Sequence, residues 1–303
     1  MAREAHLSHA PGAPQCRRHA MTDRRRHTDE ENDVFSNTDI MDFYDPTLYE
    51  RNVGLAPRVD KVYQEEVGEL EPGSHVLELG CGIGDVLLPL AHVGYRTTGV
   101  DRSAAMLAHF RNRVEAEAVE TRERVRLIEA ELPALPDCGE FDMVLMPNDL
   151  VSHMLTANDA RRLFIEIGRR LRPDGDIVLD VSRFDVSYLG YLAGEGGKLE
   201  RVHGLYRYDG EQWIRVSEQS TYDPESGILI AHFTYEMLGS SGCVESTRMR
   251  VLRLHPRRAS EIAMLLELSG FEVVAEQNAR FPAGMDNVLF RARRVQADTR
   301  MPR

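Results

Sequence analysis

Lysine is almost missing from this chain. Of 303 residues only Lys61 and Lys198 are lysines, so 35 of the 37 basic side chains are arginines. Against 49 acidic residues the formal net charge is −12. An acidic surface argues against general nucleic-acid binding, because phosphate neutralisation supplies most non-specific affinity. The short run Arg24–Arg26 is too small to reverse that balance. Long apolar runs are equally scarce, and no stretch approaches the ~18 consecutive apolar residues of a membrane span. The first 27 residues carry charges and histidines where a secretory signal would have an apolar centre. Cys16, Cys81, Cys138 and Cys243 show neither C-x-x-C spacing nor a histidine cluster beside them. That excludes a disulfide framework and a cysteine zinc site. These absences predict a soluble, cytoplasmic protein with no metal, no membrane and no nucleic-acid partner.

Hydrophobic side chains make up 42% of the chain, enough for a sizeable core. Residues 1–30 have no helical or strand period and read as a disordered extension, and 295–303 as a loose tail. A helix is expected from about Thr47 to Leu70, stopped by Glu71-Pro72-Gly73. From Ser74 strands and helices alternate. Strands are expected at His75–Leu79, Tyr95–Val100, Arg124–Glu129, Phe141–Met146 and Asp176–Val181. The intervening helices run through Leu87, Leu88 and Leu90, then Ala104–Val114, then Asn158–Leu171. Arg172-Pro173-Asp174-Gly175 reads as the turn before the fifth strand. This order implies an α/β fold with a mostly parallel sheet covered on both faces. After Val202 the period changes to two. Gln212–Tyr222, Ile228–Leu238 and Val244–His255 read as an antiparallel insert spanning 202–255. Helix Pro256–Leu268 and strands Phe271–Glu276 and Asn287–Arg294 then complete the core over 256–294.

The sharpest local signal is Glu78-Leu79-Gly80-Cys81-Gly82-Ile83-Gly84, set between a strand and a helix. Its glycines let the backbone turn tightly and admit a ligand where a Cβ would block it. Asp101 ends the next strand, 17 residues beyond Gly84, where a carboxylate can accept both hydroxyls of a ribose. Nucleoside binding follows. A dinucleotide fingerprint would space its glycines as G-x-G-x-x-G, whereas here they stand as G-x-G-x-G.

Acid-x-G-x-G-x-G resembles motif I of the class I S-adenosylmethionine-dependent methyltransferases. The resemblance continues in order through Gly99-Val100-Asp101-Arg102-Ser103, Phe141-Asp142-Met143-Val144 and Leu171–Gly175. It implies a Rossmann-like seven-stranded sheet of order 3-2-1-4-5-7-6, with an N-terminal lid helix and the S-adenosylmethionine-binding core together spanning 31–201, and the antiparallel β insert added. It places Glu78, Gly80, Gly82, Gly84, Asp101, Arg102, Glu131, Leu132 and Met146 around S-adenosylmethionine. Glu131 stands where the family usually has Asp. Cys81 reads as a packing residue. In Pro147–His153, which resembles the acceptor loop of small-molecule and sugar N-methyltransferases, His153 and Asp149 are the catalytic candidates. Tyr44 and Tyr49 are candidate lid contacts, and Trp213 a candidate acceptor contact from the insert. The insert caps the acceptor or forms a homodimer face. The implied activity is methyl transfer to a small molecule of secondary metabolism, with N-methylation ahead of O- or C-methylation. A nicotinamide-dependent dehydrogenase and a catalytically silent cofactor-binding protein remain open at this stage.

Overall fold

The computed structural model describes residues 45–51, 59–209, 212–277, 281–282 and 285–295, all within one compact unit, Asn37–Arg303. The proposed extension 1–30 and Tyr44 lie outside the described residues, as does 296–303 of the tail. The expected long helix is two helices, α1 (Pro46–Glu50) and α2 (Asp60–Val67). Asp45 starts α1 by accepting the backbone N–H of Thr47 at 2.9 Å, with Pro46 in the first turn where its missing N–H costs nothing. The stretch between the two helices lies outside the described residues; its Gly54 and Pro57 are poor helix formers.

The core strands are β1 (His75–Leu79), β2 (Arg96–Asp101), β3 (Val125–Glu129), β4 (Phe141–Met146) and β5 (Leu171–Ser182). Between them stand α3 (Leu87–His92), α4 (Ala104–Glu115), α5 (Val119–Arg122) and α6 (Ala157–Arg170). A short helix α7 (Val186–Leu192) follows, then the antiparallel strands β6 (Arg201–Asp209), β7 (Gln212–Asp223), β8 (Ile228–Leu238) and β9 (Val244–Leu254). Helix α8 (Ala259–Leu268) and strands β10 (Phe271–Gln277) and β11 (Asn287–Arg294) close the chain. The large sheet has the order β3-β2-β1-β4-β5-β11-β10, the order expected above, with β11 antiparallel to both β5 and β10. The strands alternate strictly between two cores. Leu77, Leu79, Val144, Ile177 and Leu179 pack with Phe164 of α6 and Ile262 of α8. Val76, Met143, Leu145 and Val178 pack with Tyr63 of α2, Leu87 of α3 and Phe110 of α4. Burial on both faces is what a parallel sheet requires.

Two departures from the sequence reading matter for the site. The insert has four strands in the order β6-β7-β8-β9, one more than expected. The extra strand, β6, contains Gly204 and is bulged on both sides of it, which hides its alternation. The Arg172–Gly175 segment is no free turn. β5 begins at Leu171 opposite Phe141 and resumes pairing at Asp176 opposite Met143, so the segment bulges out of a continuous strand.

Candidate functional site

A cavity of about 580 Å³ opens at the carboxyl ends of β1, β2 and β4, where ligands gather in open α/β sheets. Gly80 and Gly82 line it, with φ of +69° and +53° that an L side chain rarely adopts. The N–H groups of Gly80 and Cys81 both donate to the Val100 carbonyl, at 2.7 and 3.1 Å, tying the loop to β2. Asp101 fixes the same loop from its side chain. Its Oδ2 accepts the Gly82 N–H at 2.8 Å and its Oδ1 the Ser103 N–H at 2.8 Å. Burial raises the Asp101 pKa, opposed by these N–H donors.

Glu78 also lines the cavity and is buried, and its Oε2 has no hydrogen-bond partner. Burial, followed by the charges of Asp101, Asp85 and Asp60, pushes its carboxyl well above the usual range. An orphaned carboxylate oxygen facing a ligand cavity fits a cationic donor, and the α-ammonium of S-adenosylmethionine is one. Burial pushes the Cys81 thiol up as well, so it stays a thiol and packs rather than attacks.

Arg102, Glu131 and Leu132 line the cavity, together with Tyr49 from α1. Gly84 does not. A Cβ there would lie 2.2 Å from the Phe110 ring, so this glycine serves the packing of the following segment against α4. The Met146 side chain is buried in the core beside α6, away from the cavity. Trp213 is part-exposed on β7 with the Arg207 guanidinium 5.5 Å from its ring centroid, and it does not reach the cavity. Sequence reasoning missed Asp60, Asp85, Val86 and Met106 on the cofactor side, and Ser182, Phe184 and Arg250 beyond it.

The other end is built on the loop after β4. Asn148 and Asp149 both have left-handed backbones, with φ of +61° and +53°. A single 3₁₀ turn, Leu150–His153, follows. Asp149 lines the cavity and accepts from the Ser152 hydroxyl at 2.7 Å. Burial pushes its pKa up to about 8, with the Asp180 charge adding to the shift, so at neutral pH it is mostly the acid. His153 moves the opposite way, down to about 4. Burial is the main cause and the charges of Arg102 and Arg250 add to it, so its imidazole is neutral. Four carbonyls of this loop are clasped by residues leaving β9. The His255 N–H donates to Ser152 O at 2.8 Å, and the His255 ring Nδ1 meets Leu155 O at 2.8 Å. Arg257 donates to Val151 O at 3.1 Å and to Met154 O at 2.5 Å. β9 itself supplies Arg250, Leu252, Arg253 and Leu254 to the cavity wall. Among the described residues no cluster of His, Cys, Asp or Glu could hold a metal ion, and no helix is long and apolar enough to cross a membrane.

Residues 76–175 match the methyltransferase domain family. A provisionally named methyltransferase of Bacillus subtilis, YqeM, is 25% identical over 163 residues, 47% of this chain; the chain spans 64% of that relative's length. The ubiquinone biosynthesis O-methyltransferase of Coxiella burnetii is 25% identical over 71% of this chain and 88% of its own. The fold is shared with the CcbJ methyltransferase of Streptomyces caelestis, at TM-score 0.63 and 21% identity over 84% of this chain and 100% of that one. It is shared equally with the sugar N-methyltransferase KedS8 of Streptoalloteichus, at TM-score 0.63 and 17% identity over 82% and 92%. The glycine loop, the acid ending β2, the strand order and the family match converge: residues 76–175 carry a methyltransferase domain, set in the fold that these methyltransferase structures share.

Proposed function

We propose that this chain transfers a methyl group from S-adenosylmethionine to the nitrogen of a small-molecule amine, in secondary metabolism. One observation carries the reading: a single cavity joins the Glu78–Gly82 loop to His153, Asp149 and the β9 wall. Glu78 would meet the cofactor's ammonium, Asp101 its ribose, and Glu131 with Leu132 its adenine. The cofactor supplies a methyl carbon already activated by sulfonium. What the protein adds is alignment, because holding nucleophile and methyl carbon in line supplies much of the acceleration, up to about 7–11 kcal/mol. The neutral His153 imidazole can accept a hydrogen bond from an amine N–H and hold the nitrogen lone pair toward the reaction axis. Asp149, as an acid of pKa about 8, can take the proton released once the nitrogen has four bonds only in its ionised fraction. We assign the insert to the acceptor side, with β9 as its wall, and a homodimer through the same insert is a second use of it.

KedS8 is described as a sugar N-methyltransferase, which favours an amino sugar as the first acceptor to try. The Coxiella relative is an O-methyltransferase and keeps hydroxyl acceptors in the comparison. The purified protein is incubated with S-adenosylmethionine and panels of amino sugars, aryl amines and phenols, and adenosylhomocysteine and methylated product are read by mass spectrometry. Methylation confined to phenols overturns the nitrogen assignment. Calorimetric binding of NAD in place of S-adenosylmethionine overturns the reading as a whole.

A further inference from the structure

Asp180 of β5 is fully buried and has no part in the reading above. Its carboxylate collects four donors. Oδ1 accepts from the Tyr63 hydroxyl and from the Asn148 backbone N–H, the latter at 2.8 Å. Oδ2 accepts from the Asp149 N–H at 3.2 Å and from the Asn287 side-chain amide at 2.6 Å. The donors come from three places far apart in sequence: α2, the loop after β4, and the first residue of β11. A buried carboxylate is tolerated when its lone pairs are filled in this way.

Two of the four donors belong to the successive left-handed residues Asn148 and Asp149. Asn and Asp tolerate that backbone best among residues with a Cβ, but as single residues; two in succession persist where their surroundings hold them. Here it brings two consecutive N–H groups onto the two oxygens of one carboxylate. Tyr63 and Asn287, both buried, hold the carboxylate from the other side, and Tyr63 stands in the helix whose Asp60 lines the cavity.

We propose that Asp180 is the positioning residue of the acceptor loop: fixed by Tyr63 and Asn287, its carboxylate locks Asn148 and Asp149 in the left-handed turn and so sets how Asp149 and His153 face the cavity. This rests on reading the loop as the acceptor end of a methyltransferase site. The groups facing the Asp149 carboxyl are Asp180, the hydroxyls of Ser152 and Ser182, and the Arg257 guanidinium. Replacing Asp180 with a neutral side chain removes the negative neighbour among them.

The test uses the full chain with Asp180→Asn and, separately, Tyr63→Phe. Amide hydrogen exchange is followed along the chain, the Asp149 carboxyl is titrated by carbon NMR, and adenosylhomocysteine affinity is measured by calorimetry. In Asp180→Asn, exchange at Asn148 and Asp149 should accelerate by about tenfold or more, as for a locally released segment. The Asp149 titration should move to lower pH, and adenosylhomocysteine affinity should stay within about threefold, because the glycine loop is untouched. Tyr63→Phe should accelerate exchange at the same two amides to a smaller extent. With an acceptor from the panel above, kcat should fall by about 10- to 100-fold, the scale of a displaced reacting group, with the KM for S-adenosylmethionine unchanged. A folded Asp180→Asn protein with native exchange at 148–149 and a native Asp149 titration overturns the proposal. So does exchange that accelerates evenly across the sheet with loss of adenosylhomocysteine binding, since Asp180 would then be a general core support. If Asp180→Asn fails to fold, Tyr63→Phe decides alone: acceleration confined to the two amides supports the proposal, and native exchange refutes it. Because exchange and titration need no acceptor, a panel in which nothing is methylated counts against the proposed function and leaves this test intact.

Discussion

Gly84→Ala should separate packing from ligand contact within the glycine loop. The new Cβ would sit 2.2 Å from the buried Phe110 ring. Ordinary contact begins near 3.4 Å, so ring or loop must move by the difference, 1.2 Å. Gly84 also has φ of +84°. The left-handed backbone costs an alanine about 1–2 kcal/mol, and overpacking a closed core adds about 1–3 kcal/mol. Together the loss is about 2–5 kcal/mol, which at ~2–4 °C per kcal/mol for a domain of this size lowers Tm by roughly 4–20 °C. Urea denaturation followed by circular dichroism measures the free energy directly. Phe110→Leu in the Gly84→Ala background should recover part of the overpacking cost, while the φ cost stays. Adenosylhomocysteine affinity of the folded fraction should remain within about threefold, because Gly84 does not line the cavity. A variant with native Tm and lost affinity would refute the reasoning and return Gly84 to the ligand.

Asp101→Ala should weaken S-adenosylmethionine binding by ~1.5–3 kcal/mol, the worth of hydrogen bonds to a charged group. It should also speed exchange at the Gly82 amide that Asp101 holds, and native affinity by calorimetry would remove Asp101 from the site. His153→Gln should raise the acceptor KM while keeping most of kcat if the histidine orients the acceptor; a fall of ~10²–10⁴ in kcat would make it a general base. Asp149 titrates about 8 in the folded chain against ~3.9 when unfolded, so its contribution to stability is whole below pH ~4 and is lost as pH rises through 8. Asp149→Asn should therefore flatten the decline of Tm between pH 4 and 8, and an unchanged decline counts against a buried carboxyl. His153, at about 4 against ~6.5 unfolded, contributes above pH ~6.5 and loses that stability as pH falls through both values. Its Gln variant should lose less Tm on acidification from pH 7 to 4.

What the sequence made legible was local. Val76 and Leu77 announce a doubly buried strand, and Glu78, Gly80, Gly82 and Asp101 sit within 24 residues, so one motif captures them. Gly84 belongs to the same pattern, yet a pattern cannot tell a glycine that admits a ligand from one that admits Phe110. The Asp180 cluster is illegible for a different reason. Tyr63 and Asn287 stand 117 and 107 residues from it, and each alone resembles an ordinary core or strand residue. β9 was expected as a strand, but its role as a cavity wall depends on how the insert's sheet docks, which no local period encodes.

The clasp between β9's exit and the loop after β4 bears on how such a protein can be re-engineered. His255 and Arg257 hold the carbonyls of Val151, Ser152, Met154 and Leu155. Grafting a foreign insert that ends at Leu254 keeps those bonds, whereas a graft that replaces the exit strips partners from four carbonyls at once. Recombination aimed at a new acceptor therefore has a natural seam between Leu254 and His255. A library confined to Arg250, Leu252 and Leu254 leaves the clasp and the glycine loop intact.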